Sequence, residues 1–385
     1  MRKQKIIGIV IIIVIVLAIL GISNRNIFND NEQIIQDKQQ IKQENLTIDE
    51  KVDQIVESMS QTEKLGQMVM IGIQGTKVDD DSLYMLNQYH MGGVILFDRN
   101  MESPEQVKQL TSDLQAQSNE KVPLFIGIDE EGGDVVRMAE KLTPPPSQKE
   151  IRATGDIEQA KTWAIKTAKS LKDMGINVNF APVADVGSND KRSYSTDTNI
   201  VIDFVRAATE GYQQENIIYS LKHFPGIGKG KVDSHIDSSS IDVAKEVLMT
   251  EDILPFKTII DENAPNDYFI LVSHLKYLAL DEEYPASLSS KIMTDLLRNK
   301  LGYKGIIITD DMEMGAVANH NDFRSIGVNA VKAGADIVLV CHEYKHQQEV
   351  YLGLLDAVNS GEISQERIDE SVKRIIKVKL LHLYQ

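Results

Sequence analysis

Two patterns of hydrophobic and polar positions divide the chain. Near the N-terminus Ile6 to Ile22 is an almost unbroken apolar run, preceded by Arg2, Lys3 and Lys5 and ended by Ser23-Asn24-Arg25-Asn26. From Thr47 onward, short runs rich in β-branched residues alternate with longer segments able to form helices. The runs predict strands at Gly66–Ile73, Gly93–Phe97, Leu124–Ile128, Ile176–Phe180, Ile217–Lys222, Tyr268–Val272, Gly305–Ile308 and Asp336–Val340. Pro104–Ser118, Asp156–Met174 and Asp242–Asp261 read as helices between them, and Ile363–Leu383 as one closing helix. Strand-then-helix order repeated about eight times implies a parallel sheet of the α/β class, and closure into a single (β/α)8 TIM-type barrel. An open doubly wound sheet is the main rival. No G-x-G-x-x-G follows a strand, which weakens the nucleotide-binding form of that rival.

The apolar run is close to the ~20 residues that span a bilayer. Its basic flank would stay inside, so the rest of the chain would face outward. A cleaved signal peptide is the competing reading, but no small-x-small site lies near Gly21 and no cysteine stands there to carry a lipid. The expected organisation is a transmembrane anchor over 1–23, a polar stalk over 24–47 rich in Gln, Asn, Asp and Lys, and a catalytic barrel over 48–385. The expected location is the cell membrane, crossed once, with the barrel outside.

Composition narrows the function. With 41 Lys and Arg against 57 Asp and Glu, the net charge is −16, which argues against a nucleic-acid partner. Hydrophobic residues at 42% are enough for a large core. The one cysteine, Cys341, excludes an intramolecular disulfide and reads as a small buried hydrophobe.

In such a barrel, chemistry sits at the C-terminal ends of the strands. Here those ends carry Asp129-Glu130-Glu131-Gly132-Gly133, Asp185, Lys222-His223-Phe224-Pro225-Gly226, Ser273-His274, Thr309-Asp310-Asp311 and Cys341-His342. So many polar groups cannot all be barrel packing, and together they describe a polar pocket. Two titratable systems stand out. Asp310 ends an apolar strand, where a carboxylate is held rigidly. Asp233-Ser234-His235 places two groups on one side of an extended segment, so Asp233 could orient His235 for proton transfer. A carboxylate nucleophile facing a proton donor is the layout of a retaining glycosidase, with a His–Asp dyad in place of the usual second carboxyl. His223, His235, His274, His320 and His342 lack a metal-binding spacing, and Lys222 would put a cation beside any metal, so no metal is expected.

At these residues the chain resembles the β-N-acetylglucosaminidases of glycoside hydrolase family 3, from about Leu46 to the C-terminus. Lys64-Leu65-Gly66-Gln67-Met68, Gly92-Gly93-Val94-Ile95-Leu96-Phe97 and Asp129-Glu130-Glu131-Gly132-Gly133 resemble its E-K-x-G-Q-M, G-G-V-I-L-F and D-Q-E-G-G motifs. Lys222-His223-Phe224-Pro225-Gly226 followed by Asp233-Ser234-His235 resembles K-H-F-P-G-H-G and D-S-H, and Pro285-Ala286-Ser287-Leu288-Ser289 resembles P-A-S-L-S. Thr309-Asp310, followed by Met314-Gly315-Ala316, resembles the nucleophile strand. The resemblance implies that Asp310 attacks the anomeric carbon and that His235, helped by Asp233, protonates the leaving oxygen. It implies that Asp129, Arg192, Lys222 and His223 bind the terminal sugar, and it implies no metal and no organic cofactor. Three positions depart from the pattern: Ile227 replaces the second histidine, Lys229 an acidic residue, and Asp134 a common arginine.

Blander roles are available for several of these residues. Asp310 could cap the following helix, and Asp129 and Arg192 could form structural ion pairs. Asp185 reads as structural, hydrogen-bonding a neighbouring loop, and Lys229 and Lys231 read as solvated. The expected protein is a monomeric, retaining exo-β-N-acetylhexosaminidase acting on N-acetylglucosamine-containing wall fragments or muropeptides. A β-glucosidase, a glycoside phosphorylase or a wall-binding module without activity are the alternatives.

Overall fold

The computed structural model describes residues 46–118, 122–138, 141–187, 191–230 and 239–384. The chain divides into two units, 1–51 and 52–385. Of the first, residues 46–51 are described and open the helix Ile48–Ser58. The expected anchor at 1–23 and nearly all of the stalk lie outside the described residues. Among the described residues no helix is long and apolar enough to cross a membrane.

The second unit is a closed barrel of parallel strands: β1 Val69–Gly72, β2 Gly93–Leu96, β3 Phe125–Ile128, β4 Val178–Asn179, β5 Ile218–Phe224, β6 Tyr268–Val272, β7 Ile306–Asp311 and β8 Ile337–Val340. Each pairs with the next in sequence, and β8 pairs with β1 through Val69↔Val338 and Met70↔Leu339. Covered by helices outside and side chains inside, the strands are buried on both faces and read as continuous apolar runs. The barrel axis is filled: the Phe125 and Phe269 rings meet edge to face at 5.2 Å. At Gly127 an added Cβ would lie 2.7 Å from Met70 and 2.8 Å from Phe180, so a glycine there makes room for both.

Several boundaries differ from those the pattern predicts. The segment from Gly66 begins as helix, because Ser60 and Glu63 form a capping box that starts Gln61–Gln67 and carries Leu65 and Gly66 into it. The first strand therefore opens at Val69. The β4 strand is shorter than predicted, Val178–Asn179. The helix predicted over Asp242–Asp261 is broken into Lys245–Val247, a wide turn over Leu248–Asp252, and Leu254–Glu262 with Pro255 in its first turn. The β7 strand runs three residues further than predicted, to Asp311.

Two strands carry one extra residue near their C-terminal ends. Between β5 and β6 the pairing steps from Leu221↔Ile270 to Phe224↔Val272, and between β7 and β8 from Ile308↔Ile337 to Asp311↔Leu339. A bulge of this kind breaks the strict alternation of side chains and re-aims those beside it. Lys222 and His223 occupy the first, Thr309 and Asp310 the second.

Candidate active site

The two bulges face one cleft, of about 290 Å³, at the C-terminal mouth of the barrel. Lys222 and His223 are consecutive, yet both line it, together with Asp129, Glu131, Arg137, Arg192, Asp310 and His342. At the second bulge the Thr309 hydroxyl turns to β8 and accepts from the Leu339 N–H at 3.1 Å, while Asp310 faces the cleft.

One wall is a network of alternating charge. Lys222 Nζ lies 2.6 Å from Asp129 Oδ1 and 2.6 Å from Glu131 Oε1. Arg192 grips Glu131 through Nε at 2.8 Å and Nη2 at 2.7 Å, and its Nη2 lies 3.1 Å from His223 Nε2. His223 Nδ1 is 2.8 Å from Asp185 Oδ2, and the His223 and Ile227 N–H groups donate to Asp185 Oδ1. Burial opposes the charge on Glu131, but Lys222 and Arg192 outweigh it and hold the carboxyl well below its ordinary range. Burial likewise opposes the Lys222 ammonium, and Asp129 and Glu131 overcome it, so its pKa rises.

The loop after β3 is held to a single path. Asn179 on β4 accepts from the Glu130 N–H at 3.0 Å and donates to the Glu130 carbonyl at 3.2 Å. Gly132 and Gly133 follow at φ +103 and +64, and a Cβ on Gly132 would lie 2.3 Å from the Pro146 carbonyl oxygen. The Asp-Glu-Glu-Gly-Gly run thus needs its glycines to turn back beside Pro145 and Pro146, which presents Asp129 and Glu131 to the cleft.

Asp310 stands across from this wall, half-buried. Burial alone would raise its pKa. The His274 and His223 imidazoles, the Asp311 N–H at 2.9 Å and Lys222 overcome that and lower it, so Asp310 is an anion at any ordinary pH. His274 is fixed between Ser287 Oγ at 2.7 Å and the Asp311 carbonyl at 2.8 Å. A rigid carboxylate opposite a wall of paired charges can receive a polar ligand whose hydroxyls bind the wall and whose electrophilic atom faces Asp310.

The structure gathers Asp129, Arg192, Lys222, His223 and Asp310 in this cleft. Asp233 and His235 lie outside the described residues. Three further residues take part: Glu131 and His342, which belong to the strand-end runs read as a polar pocket but carried no role there, and Arg137, which the sequence did not single out. Glu131 organises the wall, Arg137 Nη2 lies 3.6 Å from Asp129 Oδ2, and His342 Nε2 lies 3.3 Å from Asp311 Oδ2. The glutamate sat in plain view inside the Asp-Glu-Glu-Gly-Gly run, and the alternation of side chains along it was the usable signal. Asp185 does bond a neighbouring loop, as expected, and through His223 it also fixes the wall. Lys229 is not solvated: it pairs with Glu251 at 2.8 Å and with the fully buried Asp252 at 2.5 Å.

A closed parallel barrel with charged residues converging at its C-terminal mouth has the layout in which barrel enzymes carry their active sites. The chain belongs to glycosyl hydrolase family 3, whose N-terminal domain matches residues 60–378. It is 34% identical over 326 residues to the beta-hexosaminidase A of Pseudoalteromonas piscicida, covering 77% of this chain and 54% of that protein. It is 30% identical over 321 residues to the beta-hexosaminidase of Nitrosomonas eutropha, covering 79% of this chain and 90% of that one. A solved glycoside hydrolase family 3 beta-N-acetylglucosaminidase from Paenibacillus superposes with a TM-score of 0.81 at 37% identity, covering 84% of this chain and 62% of that one. The chain thus spans about half the length of the first relative and nearly all of the second.

Proposed function

We propose that this protein is a retaining exo-β-N-acetylhexosaminidase that removes terminal N-acetylglucosamine from cell-wall fragments. The observation that carries the reading is Asp310: an ionised carboxylate, aimed by a bulge at the cleft and faced by a wall of sugar-binding type. Asp129, Arg192, Lys222 and His223 hold the hydroxyls of the terminal sugar, and Glu131 and Asp185 keep that wall in register. Asp310 attacks the anomeric carbon as the glycosidic bond breaks, and His235, oriented by Asp233, protonates the departing oxygen. Water then attacks the glycosyl-enzyme while His235 takes its proton, which frees Asp310. The relatives named as hexosaminidases support the sugar preference.

The basic flank and apolar run at the N-terminus support an enzyme held on the outer face of the membrane, where wall glycans lie. The test of the activity is turnover of an aryl β-N-acetylglucosaminide, with the matching glucoside and added phosphate as controls. Absence of turnover by a folded protein would sink the reading, and preference for the glucoside or a need for phosphate would redirect it. His235→Ala should slow hydrolysis most for poor leaving groups, since good ones need little protonation.

A further inference from the structure

Behind the β3 loop, on the side away from the cleft, a second cavity of about 400 Å³ opens. Its size falls within the range of small-ligand pockets, about 300–1,000 Å³. The floor is Glu130. Neighbouring residues of the extended loop point opposite ways, so Asp129 and Glu131 line the cleft while Glu130 turns outward into this space. Glu130 is 5% exposed, and its Oε2 accepts the Arg137 N–H at 2.8 Å. Its second oxygen has no hydrogen-bond partner among the described residues. Burial pushes this carboxyl up to about 7, against the Arg137 N–H, so at neutral pH it both donates and accepts.

The opposite wall is the helix Glu158–Asp173. Its apolar face packs on the barrel through Ala160, Ala164, Ala168 and Leu171. A neighbouring face presents Trp163, Lys166, Thr167 and Ser170 to the cavity at i, i+3, i+4 and i+7 spacing. Trp163 is half-buried and is the chain's sole tryptophan. Lys166 Nζ sits 4.4 Å from the centre of its ring. A single exposed indole is ordinary; here the indole shares a cavity with a carboxyl whose second oxygen is left open to that space.

The charges choose the ligand. An anion would meet Glu130, and a cation would have to displace Lys166 from the indole. A neutral ring with an apolar face and hydroxyls on its edge suits both the aromatic wall and the donors and acceptors around it. We propose that this cavity is a second glycan site, binding one pyranose of a neutral or N-acetylated chain against Trp163, with hydroxyls on Glu130 and Ser170. It would keep the enzyme on a polymer whose end is elsewhere. The site does not depend on the catalytic assignment.

Because Trp163 is the only tryptophan, its fluorescence reports the cavity directly. The full chain carrying Asp310→Ala, which cannot consume the probe by the proposed route, is titrated with the β-1,4-linked tetramer of N-acetylglucosamine. A saturable change is expected. Filling the cavity with Ser170→Phe should weaken binding at least tenfold, and Glu130→Gln should flatten its pH dependence around neutrality. If Ser170→Phe does not fold, Glu130→Gln decides alone. Trp163→Phe should leave turnover of a small aryl substrate within about twofold while lowering retention on insoluble glycan. No fluorescence change up to about 10 mM tetramer would overturn the proposal, as would a change insensitive to both cavity variants.

Discussion

Arg192 grips Glu131 with two parallel hydrogen bonds, at 2.8 and 2.7 Å, and the oxygen taken by Arg192 Nη2 is shared with Lys222. This pairing sets the wall of the cleft, because one buried carboxylate orients two cations. Glu131→Ala would leave both without it. Removing one partner of a buried pair costs about 3–5 kcal/mol. We expect kcat/KM to fall by at least about a hundredfold, where each 1.4 kcal/mol is tenfold, with a lowered melting temperature. Glu131→Gln, which keeps the shape, should be milder in stability than in kcat/KM. Steady-state kinetics and thermal unfolding of both variants check this; an unchanged kcat/KM in Glu131→Ala would remove the residue from the site.

The Asp310 carboxyl is held below its ordinary value of 3.8. A carboxylate with a depressed pKa stays ionised as pH falls, and loses its charge only below that value. The acid side of the pH profile should therefore not belong to Asp310. With a good leaving group, kcat/KM should show no loss attributable to this residue from neutrality down to about pH 4, the range of a free carboxyl. Asp310→Ala should abolish turnover at every pH. A loss centred well above pH 5, on folded enzyme, that is absent in a variant with the nucleophile replaced and chemically rescued would contradict the assignment.

How much of this was legible beforehand follows from where each residue's partners lie. Asp129, Lys222, His223 and Asp310 were readable because strand ends converge in any closed barrel, whatever its details. Arg192 stands at no predicted strand end and was readable only through the family resemblance. Alternation from Asp129 puts Glu131 rather than Glu130 on the cleft side, and Asn179 on β4 is what fixes that register. The bulges at Lys222–His223 and Thr309–Asp310 leave no mark in a pattern of apolar residues. Lys229 read as solvated because its partners, Glu251 and Asp252, stand on a wide turn where the pattern predicts continuous helix.

That Lys229 pair gives a further prediction. Asp252 is fully buried, and burial pushes its carboxyl up to about 6 even with Lys229 beside it. At pH 8 Asp252 is an anion that needs its cation, so Lys229→Met should cost about 3 kcal/mol. As pH falls through 6 the carboxyl takes a proton and the need disappears. The difference in melting temperature between wild type and Lys229→Met should therefore be large at pH 8 and small at pH 5. Adding Asp252→Asn to the variant should restore stability at pH 8. A difference equal at both pH values would show that the ion pair does not hold this turn.

The last prediction concerns Lys379, which is fully buried on the closing helix Gln365–His382 and meets no carboxylate among the described residues. Its ammonium donates to Gln67 Oε1 and to the Gly92 carbonyl, both at 2.7 Å, and sits 4.7 Å from the centre of the Phe125 ring. The ring favours the charged form by about 2 kcal/mol at most, whereas burying an unpaired ammonium costs several. Burial therefore wins, and the pKa drops well below 10.5. Between that lowered value and 10.5 the unfolded chain binds a proton that the folded chain does not. Stability from this residue thus rises with pH across that interval and is lost as pH falls toward the folded value. Below the folded value both states are charged and the slope vanishes. Relative to Lys379→Met, the wild type should gain up to about 1.4 kcal/mol per pH unit within the interval. Denaturant unfolding of both proteins from pH 7 to pH 9 reads this difference directly, free of groups common to the two. A difference that does not change with pH would mean that Lys379 keeps its charge inside the barrel, and that Gln67, Gly92 and Phe125 together solvate it as well as water does.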